Sequence, residues 1–292
     1  MGAVSPAAPA RILLLTLLAL VAFAGNSILC RLALGEQSID AASFAALRLF
    51  SGALVLLVAL RLRGERPTGS WTAGLALFLY AVPFSFAYLR LSTGTGALIL
   101  FGTVQAIMIA AGLREGERPH RWEWCGLLLA VSGLVYLVSP GLRAPAHIGS
   151  ALMVVAGVAW GAYSLRGRSS GSPVAATAGN FLRAVPFALL VSLACLSAAH
   201  LSLRGVLLAM FSGAVTSGLG YVIWYAALRG LTTTRAATAQ LAVPALAALG
   251  GVLLLGEPVT PRLVMAALLI LGGVALALQG PVRDRIRHQA PR

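Results

Sequence analysis

The stretch LLLGEPVTP, residues 253–261, interrupts one of the most apolar parts of the chain with a glycine, a glutamate and two prolines. Gly256 suits the left-handed position just past the end of a helix. Thr260 can cap a following helix, and Pro261 fits the first turn of that helix. The stretch therefore predicts a tight turn between two apolar helices, with Glu257 at its tip.

Composition indicates that these helices lie in a membrane. Hydrophobic residues make up 59% of the 292 residues, charged residues only 10%, and the mean hydropathy is +0.90. A soluble domain has roughly 45–50% apolar and ~25% charged residues. Helices satisfy their backbone groups in lipid, whereas barrel strands would be shorter and alternate in polarity. We expect an all-α polytopic membrane protein with ten spans of sufficient length: residues 12–33, 43–62, 71–89, 93–113, 122–139, 148–165, 174–199, 203–228, 236–255 and 261–280.

The turn at Glu257 has a counterpart in LREGERPHR, residues 113–121. Sliding the sequence by the distance from Glu117 to Glu257 superposes the two turns and the apolar runs that follow them, without gaps. Arg48 in FAALRLF pairs in the same way with Arg183 in NFLRAVP, at a slightly different offset. Five spans in each half make the second half start on the other side of the membrane. The repeats are therefore expected to be inverted, which is the plan of many secondary transporters.

The chain has a formal net charge of +14, and all its cations are arginines. Most of them fall on the side of the membrane where the N-terminus starts, which by the positive-inside rule is the cytoplasm. This distribution argues against nucleic-acid binding. The basic tail either touches anionic lipid or only fixes the topology. We expect a cytoplasmic N-terminus over residues 1–11, repeats over 12–140 and 147–280, and a cytoplasmic tail over 281–292.

The first span also resembles a signal peptide, because Arg11 precedes an apolar run and the small-residue sequence AFA at 22–24. The apolar segment continues to about Leu34 and nine further spans follow. We expect the first helix to be retained, with cleavage as the alternative.

The ensemble of ten spans, two five-helix halves and a Gly-Glu turn closing the fourth helix of each half resembles the drug/metabolite transporter superfamily, in particular its EamA-type members. Residues 240–276 carry the pattern best. The first half departs from it, because Val104 stands where the family commonly has a proline, as at Pro244. The resemblance implies a carrier in the bacterial inner (plasma) membrane, often an exporter of amino acids or other small metabolites, that works by alternating access.

Two arginines lie inside predicted spans, where a charge is expensive. One interpretation is that Arg48 and Arg183 reach back to the near membrane surface. The other interpretation pairs Arg48 with Glu257 toward the outside and Arg183 with Glu117 toward the inside, so that these ion pairs close an outer and an inner gate. All eight acidic residues fall at loops or span ends, which leaves a proton relay at the midplane without a candidate.

Rings and amides supply a second set of candidates. Two trios have i, i+3, i+4 spacing, which places each trio on one helix face: Trp160 with Tyr163 and Ser164, and Tyr221 with Trp224 and Tyr225. Ordinary packing and hydrogen bonding between helices is one explanation. The functional hypothesis is a midplane cavity in which an arginine meets a substrate carboxylate. The candidate substrate-binding residues are Asn26, Gln105, Trp160, Tyr163, Asn180, Arg183, Tyr221, Trp224 and Gln240.

Other functional classes have less support. The chain lacks HExxH, GxSxG, P-loop and paired intramembrane aspartate patterns, so we expect no enzyme, metal site or cofactor. The three cysteines are widely spaced and are expected to act as small hydrophobes. A structural or receptor-like membrane protein is the alternative function. The expected partners are membrane lipid and a small-molecule substrate, which is a zwitterion or an organic anion. The sequence does not determine the oligomeric state.

Overall fold

The computed structural model describes residues 9–91, 93–138, 147–168, 171–255 and 261–279. Within these ranges the regular secondary structure is helical, and one isolated bridge joins Ile39 and Leu201. The helices are α1 (Pro9–Gly35), α2 (Ala41–Leu62), α3 (Trp71–Tyr88), α4 (Thr93–Arg114), α5 (Arg121–Val138), α6 (His147–Gly167), α7 (Pro173–Ala194), α8 (Leu203–Phe211), α9 (Gly220–Leu228), α10 (Thr233–Gln240), α11 (Ala242–Leu255) and α12 (Pro261–Gln279).

These helices form the ten predicted spans and confirm the all-α membrane fold. A π-helix, Ser212–Leu219, joins α8 to α9 within the eighth span, and α10 and α11 follow each other through Leu241 within the ninth. The seventh span was predicted to reach residue 199, but α7 ends at Ala194 and a short 3₁₀ turn follows. The predicted N-terminal segment lies largely outside the described residues, and the tail and the turn at Glu257 lie wholly outside them.

Short polar side chains fix where several helices begin. Each accepts a hydrogen bond from the backbone N–H three residues further on, which satisfies a donor that lipid cannot satisfy. The caps are Asp40 before α2, Ser70 before α3, Ser172 before α7, Ser202 before α8 and Thr232 before α10.

The two halves pack on each other with matching contacts. α2 lies against α7, and α5 lies against α12. The packing of α3 on α6 has its equivalent in the packing of α1 on α9 and the π-helix, and α4 on α6 corresponds to α1 on α11. This is the packing expected when α1–α5 and α6–α12 are related by a two-fold axis in the membrane plane.

The loops repeat the same relation at the two ends of the bundle. At one end, which we call the arginine-rich face, the loop before α3 contacts the start of α7 through the Thr68 N–H and the Ala175 carbonyl, 3.0 Å apart. At the opposite face, the loop before α2 contacts the loop before α8 through the Asp40 N–H and the His200 carbonyl, 3.1 Å apart. Equivalent loops therefore meet at opposite ends, as inverted repeats require.

α5 and α12 approach closely because glycines face each other. A Cβ atom on Gly126 would lie 2.5 Å from the Gly273 carbonyl oxygen, and one on Gly273 would lie 2.6 Å from the Gly126 carbonyl oxygen. Small residues let helix backbones pack tightly in a membrane, where no hydrophobic effect draws them together. The last helices of the two halves are thus joined away from the bundle centre.

Candidate functional site

Four aromatic rings meet near the middle of the bundle, two from each half. Trp160 of α6 lies 5.2 Å from Phe23 of α1, 4.8 Å from Tyr80 of α3 and 4.8 Å from Tyr221 of α9, measured between ring centroids. Rings at such distances and angles attract each other beyond the area that they bury. The cluster therefore connects the halves where the sequence predicted a midplane site.

A cavity adjoins this cluster on the side of the opposite face. In this structure it has about 20 Å³ of free volume, room for about one water molecule, and it is lined by the rings of Phe23, Tyr80, Phe84 and Trp160 and by the Asn26 amide. The remaining lining residues are Ser27 of α1, two residues of α4 and Val243 of α11, so both halves contribute. Mostly apolar walls with one or two oriented polar groups are typical of small-molecule sites.

The Asn26 amide is oriented by the π-helix. Its Oδ1 atom accepts hydrogen bonds from the Ser212 hydroxyl at 2.5 Å and the Thr216 hydroxyl at 3.4 Å. π-helical segments are rare and frequently occur at functional sites. The small polar residues of SGAVTSGL, which the sequence analysis passed over, therefore help to build the site; their clustering in an apolar span was the available signal.

Gln240, at the end of α10 in the second half, orients the Trp160 ring. The Trp160 indole N–H donates to the Gln240 side-chain oxygen at 2.5 Å, and the Gln240 amide nitrogen contacts the Met108 sulfur at 3.2 Å. Gln105 donates to the Ala237 carbonyl at 2.5 Å, while its own side-chain oxygen has no protein partner. Neither glutamine lines the cavity itself. Both connect the helices behind it.

The other members of the two trios lie between the cavity and the arginine-rich face. The Trp224 indole N–H donates to the Ser164 hydroxyl at 3.1 Å, and the Tyr225 hydroxyl donates to the Tyr163 carbonyl at 3.1 Å. All four side chains are buried. They form a packed layer that closes the bundle below the cavity.

Arg48 is completely buried in α2. Its Nε donates to the Ser217 hydroxyl at 2.8 Å, and Nη2 donates to the hydroxyls of Tyr221 at 2.5 Å and Tyr80 at 3.4 Å. The guanidinium carbon also lies 5.3 Å from the centre of the Tyr80 ring and 5.9 Å from that of Phe84. The interpretation that this side chain reaches the near surface is therefore wrong for Arg48. Its predicted partner Glu257 lies outside the described residues.

Arg183 behaves differently from its repeat equivalent. Its Nη1 donates to the carbonyls of Gly179 at 2.8 Å and Thr68 at 2.7 Å, and the guanidinium lies over the Trp71 ring. Thr68 belongs to a loop at the arginine-rich face, so this side chain reaches toward the near surface. Asn180 binds the same loop, because its Oδ1 atom accepts a hydrogen bond from the Ser70 N–H at 3.1 Å. Neither residue lines the cavity.

Glu117 docks on the start of α10 at the arginine-rich face. Its carboxylate accepts the backbone N–H groups of Thr233 at 2.7 Å and Thr234 at 3.1 Å, and Arg168 Nη1 lies 3.4 Å away. The predicted pair with Arg183 is not formed in this structure, since a helix N-terminus supplies the donors instead. Burial raises the pKa of the Glu117 carboxyl, but these bonds and the Arg168 charge outweigh it and bring the pKa below its ordinary value. We call Glu117 with Thr233, Thr234 and Arg168 the latch.

A buried ion pair lies next to the latch. Arg235 Nε donates to Glu123 at 2.7 Å, and the second Glu123 oxygen accepts the N–H of His120 at 2.9 Å. The pair fastens the start of α10 to the start of α5. Among the residues that the structure describes, no group of three or more His, Cys, Asp or Glu side chains could hold a metal ion.

Comparison with known proteins identifies the family of this arrangement. The model of the EamA-like transporter family matches residues 10–139 and again residues 147–279. A crystal structure with 21% identity, covering 90% of this chain and 98% of that chain, superposes with a TM-score of 0.75 and shows the same fold.

Three relatives show the range of similarity. An uncharacterized protein of Pseudomonas aeruginosa is 55% identical over 271 residues, which cover 92% of this chain and 94% of that protein. An uncharacterized transporter of Archaeoglobus fulgidus is 27% identical over 90% of this chain and 96% of that protein. The threonine/homoserine exporter RhtA of Escherichia coli is 32% identical over 59% of this chain and 58% of that protein. The chain therefore belongs to the EamA-like transporter family of the drug/metabolite transporter superfamily and is a multi-pass membrane transporter.

Proposed function

We propose that the protein is a secondary transporter that exports small metabolites, such as amino acids or organic anions, across the bacterial inner membrane by alternating access. The observation that carries the proposal is the cavity between the two halves, which is lined by residues of both and is separated from the arginine-rich face by the aromatic layer and the latch. In an inverted-repeat carrier a site of this kind is reached from one face at a time.

The latch and the aromatic layer act as the barrier on the arginine-rich face. Glu117 belongs to the first half, whereas Thr233 and Thr234 belong to the second, so rocking of one half against the other separates them. The cavity then becomes accessible from the arginine-rich face as the halves close on the other side. Asn26, Trp160 and Tyr221 contact or border the substrate in this scheme, and the repeats over residues 12–140 and 147–280 are the units that move.

Direction and location follow from two supports. The similarity to a threonine/homoserine exporter favours efflux. The arginines at residues 61–66, 114–121 and 166–168 favour a cytoplasmic location for their face and for both chain ends by the positive-inside rule. Substrates then bind from the cytoplasm and leave at the opposite face.

Reconstitution into liposomes tests this function. Vesicles loaded with labelled L-threonine, L-homoserine or another amino acid or organic acid are expected to release at least one of them faster when they contain the protein. Trp160→Ala removes a cavity wall and should abolish the added flux, while Trp124→Ala, an exposed tryptophan of α5, should retain it. Inserted protein that moves no member of the panel would refute the proposal and favour a structural or receptor-like role.

A further inference from the structure

Among the residues that the structure describes, Arg48 is a buried cation without an acidic partner. The side chain is 0% exposed, and its three hydrogen-bond partners, Ser217, Tyr221 and Tyr80, are neutral hydroxyls. Nη1 is buried and has no hydrogen-bond partner within the described part of the chain. No ion pair between the described residues includes Arg48. An uncompensated charge and an unused donor at this depth cost several kcal/mol, roughly, so a fold that retains them needs a reason.

Other arginines of the bundle show how such a cost is normally met. Arg235 is also buried, and it is bonded to the Glu123 carboxylate at 2.7 Å. Arg183 reaches two backbone carbonyls near a membrane surface. Arg48 has neither solution, although nothing prevents a span of this length from placing an acid nearby. A structural role therefore does not account for the unused positive charge.

The position of Arg48 relates that charge to the cavity. Its guanidinium lies against the rings of Tyr80 and Phe84, and both of these residues line the cavity, which Arg48 itself does not. Gly213 of the π-helix lies so close to the Arg48 backbone that a Cβ atom there would collide with it. The π-helix therefore approaches α2 closely, and Ser217 on it holds Nε. The remaining donors are separated from the cavity by one layer of rings.

We propose that Arg48 is the anion-binding residue of the cavity and that the transported metabolites are carboxylates. The inference rests on the proposed transport function and names its substrate class. The carboxylate takes Nη1 and replaces the long 3.4 Å bond to the Tyr80 hydroxyl, which requires a small shift of the Tyr80 and Phe84 rings. Arginine presents parallel donors that match the two carboxylate oxygens, so binding compensates the buried charge. The apolar part of the substrate lies against Phe23 and Trp160.

Thermal unfolding of the purified protein tests this assignment without transport. The probes are the proteinogenic L-amino acids, their carboxamides and the corresponding decarboxylated amines. We expect at least one amino acid to raise the unfolding temperature, and its carboxamide and amine to have no effect. Arg48→Gln should abolish the response, and Arg48→Lys should keep it with an affinity lower by about 10- to 100-fold. Arg204→Gln, which removes an exposed arginine paired with Glu36, is the matched control and should respond as the wild type does.

The outcomes separate this inference from the proposed function. Equal stabilisation by acids and their carboxamides, stabilisation by no acid, or a loss that follows Arg183→Gln and not Arg48→Gln would overturn the role of Arg48. The comparison of acid with carboxamide on the wild type holds even where Arg48→Gln fails to fold. Flux of a neutral or cationic compound into liposomes would support the proposed transport function but contradict the proposal that the substrates are carboxylates.

Discussion

Neutralising Glu117 is expected to open the arginine-rich face. The Glu117→Gln side chain keeps its size, but it loses the charge that faces the N-terminus of α10. It also turns an NH₂ group toward backbone donors. The two hydrogen bonds from the backbone N–H groups of Thr233 and Thr234, at 2.7 and 3.1 Å, each lose about 1 kcal/mol when the acceptor becomes neutral. The lost charge–dipole attraction adds up to about 1–2 kcal/mol in a partly buried site.

The closed state should therefore be destabilised by about 2–4 kcal/mol relative to the open state. Even the lower limit, about 2 kcal/mol, changes the equilibrium between the two states by about 30-fold. A single cysteine at Ser164 reports that change in a chain without its native cysteines, because Ser164 is fully buried about one turn from the end of α6. Labelling with a water-soluble maleimide from the arginine-rich face should accelerate at least about tenfold in Glu117→Gln.

Glu115→Gln is the matched control. This neighbouring glutamate is half exposed and lies 3.8 Å from Arg168, outside the latch bonds. It carries the same change of charge and should alter labelling less than about twofold, because exposed ion pairs contribute little. Equal acceleration in both variants, or none in a folded Glu117→Gln protein, would refute the latch.

Acidification gives the same test without a mutation. Because the pKa of Glu117 is lowered in the folded protein, its stabilisation of the latch is present at neutral pH and is lost only as the pH falls below the ordinary value of 4.5. The labelling rate of the Ser164 cysteine, divided by that of a fully exposed reference cysteine to remove the pH dependence of the thiolate fraction, should stay constant from about pH 8 to pH 5 and rise below about pH 4.5. Glu117→Gln should remove that rise, which separates Glu117 from the nearby Glu115, Glu123 and His120.

Two further predictions concern stability. Glu123→Gln leaves Arg235 without its carboxylate and should lower the unfolding temperature markedly, as expected for a loss of about 3–5 kcal/mol of stability. Replacing both residues with apolar ones of similar size should recover most of that stability. A Glu123→Gln protein that unfolds like the wild type in a thermal scan would contradict the prediction. Gly273→Ala should force α5 and α12 apart and reduce the yield of folded protein, while Gly272→Ala on the same helix, where a Cβ atom meets nothing within 4 Å, should be neutral or slightly stabilising. Similar yields of the two alanine variants would show that the close approach does not matter.

The helices and their repeat could be predicted because both depend on properties that are visible along the chain. Apolar length defined the ten spans, and the shared turn at Glu117 and Glu257 defined the repeat. The π-helix at residues 212–219 left no such mark. Its residues are compatible with an α-helix, and the extra residue per turn is stabilised by contacts with α1 and α2 that only the folded bundle contains.

The site could be predicted only in part. Trp160 and Tyr221 were found because their spacing places them on inward faces, whereas Tyr80 and Phe84, with i, i+4 spacing in α3, were overlooked in a span rich in aromatic residues. The surroundings of the two intramembrane arginines were not predicted, because Arg48 is bonded inside the bundle whereas Arg183 reaches a loop carbonyl. Sequence shows how deep Arg48 and Arg183 lie, but it does not show which neighbouring loop offers a carbonyl to the side chain.

Glu117 illustrates a related limit. A list of charged side chains suggested an arginine as its partner, and the structure supplied backbone N–H groups of α10 instead. Backbone N–H groups at a helix N-terminus can take the place of a cation as the partner of a carboxylate, but no particular residue type in the sequence marks them. They become visible only when the loop after α4 is placed beside the start of α10.

Reciprocal accessibility of the two sides of the cavity tests alternating access most directly. Single cysteines at Ser27, which lines the cavity, and at Ser164, below the aromatic layer, are labelled with an impermeant maleimide added to one face of oriented vesicles. We expect Glu117→Gln to raise labelling at Ser164 from the arginine-rich face and to lower labelling at Ser27 from the opposite face, because one rocking motion opens one side as it closes the other. Labelling that rises at both positions, or that changes at one without the other, would contradict a single cavity shared by two rocking halves.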